Sequence, residues 1–238
     1  DAKNVKEALD AFYEYNEFSD MISTAISMSY IKFTLNTEDD FFVTEKEYYD
    51  EVMPKIQDID LKFKLALYNS KFKDELKKEL KDLLFLNIEI SMKAFDPKII
   101  PHMQEENRLV NEYDKLLASA QIEFDGKTLN LSQLGKYKQN TNRDIRKAAY
   151  EAEAGFYLKN GEKLDSLYDE LVKIRTTMAK ELGYENFVEL GYYRMMRNCY
   201  TKQDVQKFRE YVKKYIVPIA VDIKNEQKER INVDKFML

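Results

Sequence analysis

The sequence has few of the residues that build compact chemical sites. Its 238 residues include one cysteine, Cys199, and one histidine, His102. A single cysteine cannot form a disulfide within the chain, and such sparse use is typical of a reducing compartment. A single histidine excludes, within this chain, every metal site that needs two or more imidazoles. Those sites include zinc centres with paired histidines and di-iron centres with paired Glu-x-x-His motifs.

Glycine and proline are also scarce, with six and four residues, whereas 44% of the residues are hydrophobic and 13% are aromatic. A disordered or low-complexity chain would show the opposite balance. The 38 basic and 43 acidic residues give a net charge of -5, which argues against a nucleic-acid binder with a basic face. The longest charge-free, apolar-leaning run, residues 21–31, has 11 residues, against the roughly 18 that a spanning helix needs. We therefore predict no membrane segment.

Apolar residues recur at three- and four-residue intervals along most of the chain, which predicts an all-α fold of many helices. The first predicted helix covers residues 5–35, with an interruption near Ser19 left open. A second is predicted to begin at a capping box formed by Thr44 and Glu47, and Pro54 is expected to bend or end it. An amphipathic stretch over 56–80 follows, and residues 83–92, apolar on more than one face, predict a helix buried among others.

The second half of the sequence continues this pattern. One helix is predicted to begin at Asp96-Pro97 and to extend to about residue 119. Two more are predicted over about 142–156 and 164–182, the second of them ended by Gly183 as a left-handed cap. Another is predicted over 187–198, and the next begins at Thr201 and bends at Pro218. Between them, residues 122–129 alternate apolar and polar side chains about Asp125-Gly126, the signal of a two-residue hairpin. No linker or shift in composition divides the chain, so we predict one continuous helical region over 1–238, with a subdivision near 120–140 left open.

The end of the chain is apolar, with Ile231, Val233, Phe236, Met237 and Leu238 following a charged stretch. Such residues need packing partners. We expect that Leu238 is an internal cut and that more protein follows it in the natural product.

Three features have the residue types of chemical sites without the partners that such sites require. His102 and Glu106 share a helix face at metal-ligand spacing, but without a second histidine or a cysteine pair we expect a surface or capping histidine. Cys199 has no histidine near it in the sequence, so we expect a buried small hydrophobe. The acidic pair Asp39-Asp40 falls in a predicted break, where Asp is common for reasons of turn geometry.

One cluster near the end of the predicted 187–198 helix could contact a peptide. Tyr193 and Arg197 would share a helix face and could present a ring and a guanidinium to a ligand. The alternative is that the tyrosines pack with their hydroxyls bonded while the arginines lie at the surface. We name Tyr192, Tyr193 and Arg197 as candidate substrate-channel residues.

Several sequence blocks in a fixed order carry a resemblance to a known family. They are NRDIRKAAYEA (142–152), LDSLYDELVKIR (164–175) and AKELGYENF (179–187), with LGYYRM (190–195) and FR (208–209) after them and AQIEFDGK (120–127) before them. The sequence resembles the amino-terminal half of oligoendopeptidase F, a zinc metallopeptidase related to thimet oligopeptidase. The likeness is weaker before about residue 95.

This resemblance implies a cytoplasmic enzyme that hydrolyses peptide bonds in short oligopeptides, almost wholly helical, with a deep channel between an amino-terminal and a carboxy-terminal lobe. It also implies zinc held by the histidines of an H-E-x-x-H helix and a downstream Glu. None of those residues is in this chain, so no catalytic or metal-binding role passes to any of its positions. We therefore expect the amino-terminal, channel-forming part of such a peptidase, inactive alone, without zinc, and completed by a carboxy-terminal catalytic lobe.

A stand-alone helical module that binds a peptide or protein without catalysis is the alternative. The two readings differ in the surface they predict. A fragment should expose an apolar face larger than the few hundred Å² usual on monomers and should tend to associate. A stand-alone protein should be monodisperse, with its apolar surface covered.

Overall fold

The structure, a computed structural model, describes residues 2–233. The apolar residues Phe236, Met237 and Leu238, for which packing partners were expected, lie outside this range. No helix within residues 2–233 combines the length and the apolar character needed to cross a membrane.

The described chain is a succession of helices with one β-hairpin, which confirms the predicted all-α class. The helices are α1 (Val5–Leu35), α2 (Asp40–Tyr68), α3 (Lys73–Leu80), α4 (Asp82–Ala94), α5 (Ile100–Ala118), α6 (Gly135–Lys138), α7 (Arg143–Lys159), α8 (Gly161–Glu181), α9 (Phe187–Arg194), α10 (Lys202–Tyr211) and α11 (Val217–Arg230). A 3₁₀ turn, Pro97–Ile99, precedes α5, and a π turn, Val212–Ile216, joins α10 to α11. The strands β1 (Ile122–Phe124) and β2 (Lys127–Leu129) lie between α5 and α6.

The first two helices differ from the prediction at their boundaries. α1 continues through Ser19 without interruption. α2 begins at Asp40 and not at Thr44, because the Asp39 carboxylate accepts a hydrogen bond from the Phe42 backbone N–H at 3.0 Å and caps the helix one turn earlier. The Asp39-Asp40 pair is thus a helix start, in keeping with a local structural role. Pro54 is buried inside α2 and does not end it.

The middle helices also depart from the expected pattern. The stretch predicted over 56–80 is broken after Tyr68, where Asn69 caps α2 and a short turn leads to α3. α4 buries Phe85, Ile88 and Ile90, but Leu83 is 56% exposed on another face. The prediction of a helix buried on several sides is therefore wrong for α4. Its neighbours α2, α3 and α9 leave part of it open.

The predicted hairpin is confirmed. β1 pairs antiparallel with β2, with Ile122 opposite Leu129. Asp125 and Gly126 both have left-handed backbone angles, φ 52° and 67°, the pair of conformations that a two-residue type I′ turn needs. Ile122 and Leu129 then pack on the buried Leu134, so the hairpin closes a small core with α6 and α7.

Three hydrophobic clusters hold the helices together. The first joins the four helices α1, α2, α3 and α4 and is made by Ala8, Leu67, Leu76, Phe85 and Ile88. The second joins the 3₁₀ turn to α5, α8 and α9 through Ile99, Met103, Met178, Ala179 and Leu190. The third lies under the hairpin. α5 contacts α2 on one side and α8 on the other, so it connects the first group of helices to the second.

The last helical segment stands apart from these clusters. A π turn, Val212–Ile216, ends two residues before Pro218, where a bend was expected. Proline has no N–H to donate and its ring crowds the carbonyl four residues earlier, and a locally wider turn accommodates both constraints. No residue of α10 or α11 is buried, and the extensive contacts of these helices within residues 2–233 are with the π turn that joins them.

The first cluster gives a test of this packing. Leu76 is 0% exposed, so Leu76→Ala should lower the free energy of unfolding by about 2–5 kcal/mol through lost burial and the cavity left behind. Leu83→Ala is the matched control, since Leu83 is 56% exposed, and should change it by no more than about 0.5 kcal/mol. Urea unfolding followed by circular dichroism measures both. Equal losses would contradict the assigned packing of α3 and α4.

Candidate functional site

The structure brings the three candidate residues together in one surface cleft. Tyr192, Tyr193 and Arg197 line a cavity of about 480 Å³, together with residues from the turn before α9 and from the start of α10. The two acidic side chains of the lining are Glu185 and Glu189. The cleft therefore combines aromatic rings, a guanidinium and carboxylates within one concave surface.

The local sequence explains why α9 begins where it does. Gly183, with φ 88°, ends α8 in the left-handed conformation predicted for it, and the Tyr184 backbone N–H then bonds to the Ala179 carbonyl at 2.9 Å. Asn186 starts α9, since its side-chain oxygen accepts from the Val188 backbone N–H at 2.9 Å. These two caps fix the turn that forms one edge of the cleft.

The end of α9 corrects the sequence interpretation. The helix was expected to extend to Asn198, which would place Tyr193 and Arg197 on one face, but it ends at Arg194. Met196 takes a left-handed conformation with φ 51°, and the next backbone N–H, that of Arg197, bonds to the Tyr192 carbonyl at 3.2 Å. Arg197 therefore reaches the cleft from a turn and not from the helix.

The Arg197 guanidinium lies between aromatic rings. Its central carbon is 4.1 Å from the ring centroid of Tyr192 and 5.5 Å from that of Tyr200. Stacking of this kind stabilises the cation through the π face. Within residues 2–233 the guanidinium has no carboxylate or carbonyl partner. Its N–H donors are therefore open to an acceptor in the cleft.

Tyr193 is held from several sides. Its hydroxyl donates to Glu189 at 3.2 Å, its ring centroid is 5.8 Å from that of Tyr184, and the Lys93 ammonium lies 5.3 Å from the ring. Burial first, and then the hydrogen bond to Glu189, raise the pKa of Tyr193 above its usual value. The Tyr193 hydroxyl is thus engaged as a donor to Glu189.

The far edge of the cleft is a helix start. α10 begins at Thr201 as predicted, with a capping box in which the Asp204 backbone N–H donates to the Thr201 hydroxyl at 3.3 Å and the Thr201 backbone N–H donates to the Asp204 carboxylate at 2.8 Å. The Thr201 hydroxyl also donates to that carboxylate at 2.7 Å. These bonds lower the pKa of Asp204. The cleft thus lies where the compact part of the chain meets the exposed α10.

A buried ion cluster that joins α5, α8 and α9 was missed by the sequence analysis. Glu106 of α5 is 4% exposed, and it accepts from Arg175 Nε of α8 at 2.6 Å and from Arg194 Nη2 of α9 at 2.8 Å. Both guanidinium carbons also lie 5.7 Å from the Phe187 ring centroid. The sequence did contain a signal for this cluster: Glu106 lies three positions after Met103, on the buried face of α5. An acidic side chain in such a position normally needs a partner of opposite charge.

The remaining sequence candidates do not form a site. His102 Nε2 lies 2.9 Å from Glu181 Oε1, and the Glu106 carboxylate that shares its helix face is occupied by two arginines. Cys199 is exposed in the connection before α10, so the prediction that it is buried is wrong. Among residues 2–233, no group of three or more His, Cys, Asp or Glu side chains could hold a metal ion.

Glu106 and its neighbour Glu105 allow a matched test of the buried cluster. Glu106→Gln should lower the free energy of unfolding by about 3 kcal/mol, because it leaves two partly buried guanidiniums without their counter-charge. Glu105 pairs with Arg108 at the surface, so Glu105→Gln should change it by less than about 1 kcal/mol. Chemical unfolding of both variants is the measurement, and similar values would show that the cluster does not anchor α9.

Comparison with known proteins identifies one family. The description "Peptidase M3 N-terminal domain" matches residues 1–95, and "Peptidase family M3" matches residues 136–237. A crystal structure that carries the name oligoendopeptidase F, from Bacillus anthracis str. Ames, is 40% identical with a TM-score of 0.96, over 99% of this chain and 43% of that chain. Among curated proteins, no match was found.

Two further solved structures are similar. One, named PZ peptidase A with inhibitor 2, is 41% identical with a TM-score of 0.95, over 98% of this chain and 42% of that chain. The other, also named oligoendopeptidase F, is 37% identical with a TM-score of 0.95, over 98% of this chain and 41% of that chain. This chain therefore spans less than half the length of each of these structures.

Proposed function

This chain belongs to the peptidase M3 family, and from that premise we propose that it is the amino-terminal, channel-forming part of a zinc-dependent oligoendopeptidase. The observation that carries the proposal is its likeness, along nearly its whole length, to structures of which it spans 41–43%. Its part in the reaction is to bind and orient an extended oligopeptide. Cytoplasmic placement follows from the same resemblance.

The zinc of such an enzyme would be bound outside this chain. The donor set described here does not fit the metal, because the sole histidine pairs with Glu181 and the buried Glu106 is neutralised by two arginines. Zinc in proteins is held by three or four nitrogen, sulfur or carboxylate ligands around one point. We assign those ligands to a carboxy-terminal catalytic lobe.

The cleft beside α9 has the chemistry to bind a peptide. A peptide offers carbonyl oxygens and a terminal carboxylate, and Arg197 offers N–H donors without a partner among the described residues. The tyrosine rings supply an apolar surface, while Glu189 fixes the Tyr193 hydroxyl. Such a mixture of apolar walls and a few placed polar groups is typical of ligand sites. Tyr192, Tyr193 and Arg197 are therefore the proposed substrate contacts.

The exposed side of α10 and α11 is the proposed docking surface for the catalytic lobe. Its apolar residues are about half exposed or more and recur at helical spacing: Phe208, Tyr211, Tyr215, Ile216, Ile219 and Ile223. Clusters of exposed apolar side chains often mark an interface. The greater length of the similar structures supports the lobe as the occupant.

Removal of the Arg197 guanidinium should weaken peptide binding. Because a hydrogen bond to a charged group contributes about 1.5–3 kcal/mol, Arg197→Ala should raise the dissociation constant of a labelled hexapeptide by roughly 10- to 100-fold. Fluorescence anisotropy with the 238-residue chain measures this. Arg143→Ala, at an exposed position in α7, is the matched control and should leave binding unchanged. Equal behaviour of the two variants would remove Arg197 from the site.

The purified chain should hold no stoichiometric zinc and should not hydrolyse a quenched fluorogenic peptide, since it lacks the ligand set described above. Elemental analysis and a cleavage assay test this, with a complete M3 peptidase as the positive control. Stoichiometric zinc with cleavage that a chelator abolishes would contradict the proposed division of roles.

The coding sequence downstream of Leu238 discriminates the proposal from its alternative. An open frame that encodes H-E-x-x-H and a later Glu would support a zinc oligopeptidase. An immediate stop codon, together with a monodisperse chain in solution, would favour the stand-alone binding module.

A further inference from the structure

A second cavity lies behind Tyr193. It is a surface cavity of about 340 Å³ lined by residues of α2, α4, the 3₁₀ turn, α5 and the end of α9. Tyr193 lines both this cavity and the cleft described above. The ring of Tyr193 is therefore a wall common to the two spaces.

The walls of this second cavity are mainly apolar. They include Met53, Leu61, Phe95, Ile99, Met103 and Met196. Ile99 and Met103 belong to the core cluster that joins α5 to α8 and α9, so this wall of the cavity is part of the packed core. Methionine side chains are unbranched and polarisable, so they adapt to apolar groups of different shape.

The polar groups of the cavity are almost all engaged. Asp60 accepts from the Tyr15 hydroxyl at 2.9 Å and pairs with Lys64 at 2.6 Å, and Arg194 is bonded to Glu106. Gln57 is the exception, because its side-chain amide has no hydrogen-bond partner within residues 2–233. The cavity thus offers apolar contact, one uncommitted amide and no free charge.

The turn after α9 contributes residues to both spaces. Met196, with φ 51°, has the left-handed conformation that is unfavourable for a residue with a side chain. Through this turn Met196 lines the apolar cavity, whereas Arg197, the next residue, lines the polar cleft. Adjacent residues of one turn therefore supply an apolar contact to one space and a cation to the other.

We propose that this cavity is a side-chain pocket that receives one aliphatic or aromatic residue of a peptide lying in the cleft. Its volume of about 340 Å³ lies near the lower end of the range of about 300–1,000 Å³ found for ligand sites, and it is large enough for one side chain. A charged side chain would be disfavoured, because no free counter-charge would compensate its desolvation. This proposal rests on the proposed function and adds a preference for apolar residues.

The preference can be measured with two capped tetrapeptides that differ at one position, Gly-Leu-Gly-Gly and Gly-Ser-Gly-Gly. Full burial of a leucine side chain corresponds to roughly a 10- to 100-fold gain in affinity. The chain is labelled with ¹³C at its methionine methyl groups and titrated by NMR. The leucine peptide should shift the Met53, Met103 and Met196 methyls at lower concentration, and the exposed Met21 and Met28 should not respond.

A variant that fills the cavity tests its location. Ala94 lines the cavity and is half-buried, so Ala94→Phe should reduce the leucine-to-serine affinity ratio to near one. Ala152→Phe is the matched control, because Ala152 is also half-buried but lines a separate cavity next to the hairpin. It should leave the ratio unchanged. Circular dichroism confirms folding of both variants, and the titration of the unmodified chain decides the question if Ala94→Phe does not fold.

The outcomes separate the two proposals. Binding of both peptides with equal affinity, or a folded Ala94→Phe chain that keeps the ratio, would overturn the pocket while leaving peptide binding in the cleft intact. No binding of either tetrapeptide or of the labelled hexapeptide would overturn the substrate-binding role itself. A leucine preference that Ala94→Phe abolishes would establish the pocket.

Discussion

The arrangement around the cleft depends on one buried carboxylate. Glu106 lies inside the protein, and a charge in that position is tolerated only when it is paired and hydrogen-bonded. Arg175 and Arg194 provide that pairing from two other helices, so α8 and α9 must keep one orientation relative to α5. Apolar packing alone would hold the same helices together with less directional constraint.

The polar cleft and the apolar cavity near α9 both depend on this ion cluster. Arg194 is used by the ion cluster, and the turn that follows divides the next residues between an apolar cavity and a polar cleft. Within residues 2–233 the nearby Arg197 has no such partner, and it stacks on tyrosines instead. Two arginines three residues apart thus have different roles, one structural and one open to a ligand, because only one of them reaches Glu106.

Local signals predicted much of the fold, and tertiary contacts decided the rest. The Asp125-Gly126 hairpin and the Gly183 cap were readable because they depend on backbone conformations that few residues favour. The start of α2 was missed because Asp39 and Thr44 are both acceptable caps. The early end of α9 rests on a left-handed Met196 that no propensity predicts. The candidate residues were chosen on the assumption of a longer helix, and the structure brings them together through a turn instead.

The absence of α10 and α11 from the hydrophobic clusters affects how the chain can fold during its synthesis. All three hydrophobic clusters are made by residues that precede α10. A ribosome therefore releases every residue needed for these cores before the last helices are made, and domains generally fold as units in the order of synthesis. The residues that form these cores can therefore pack together before α10 and α11 leave the ribosome.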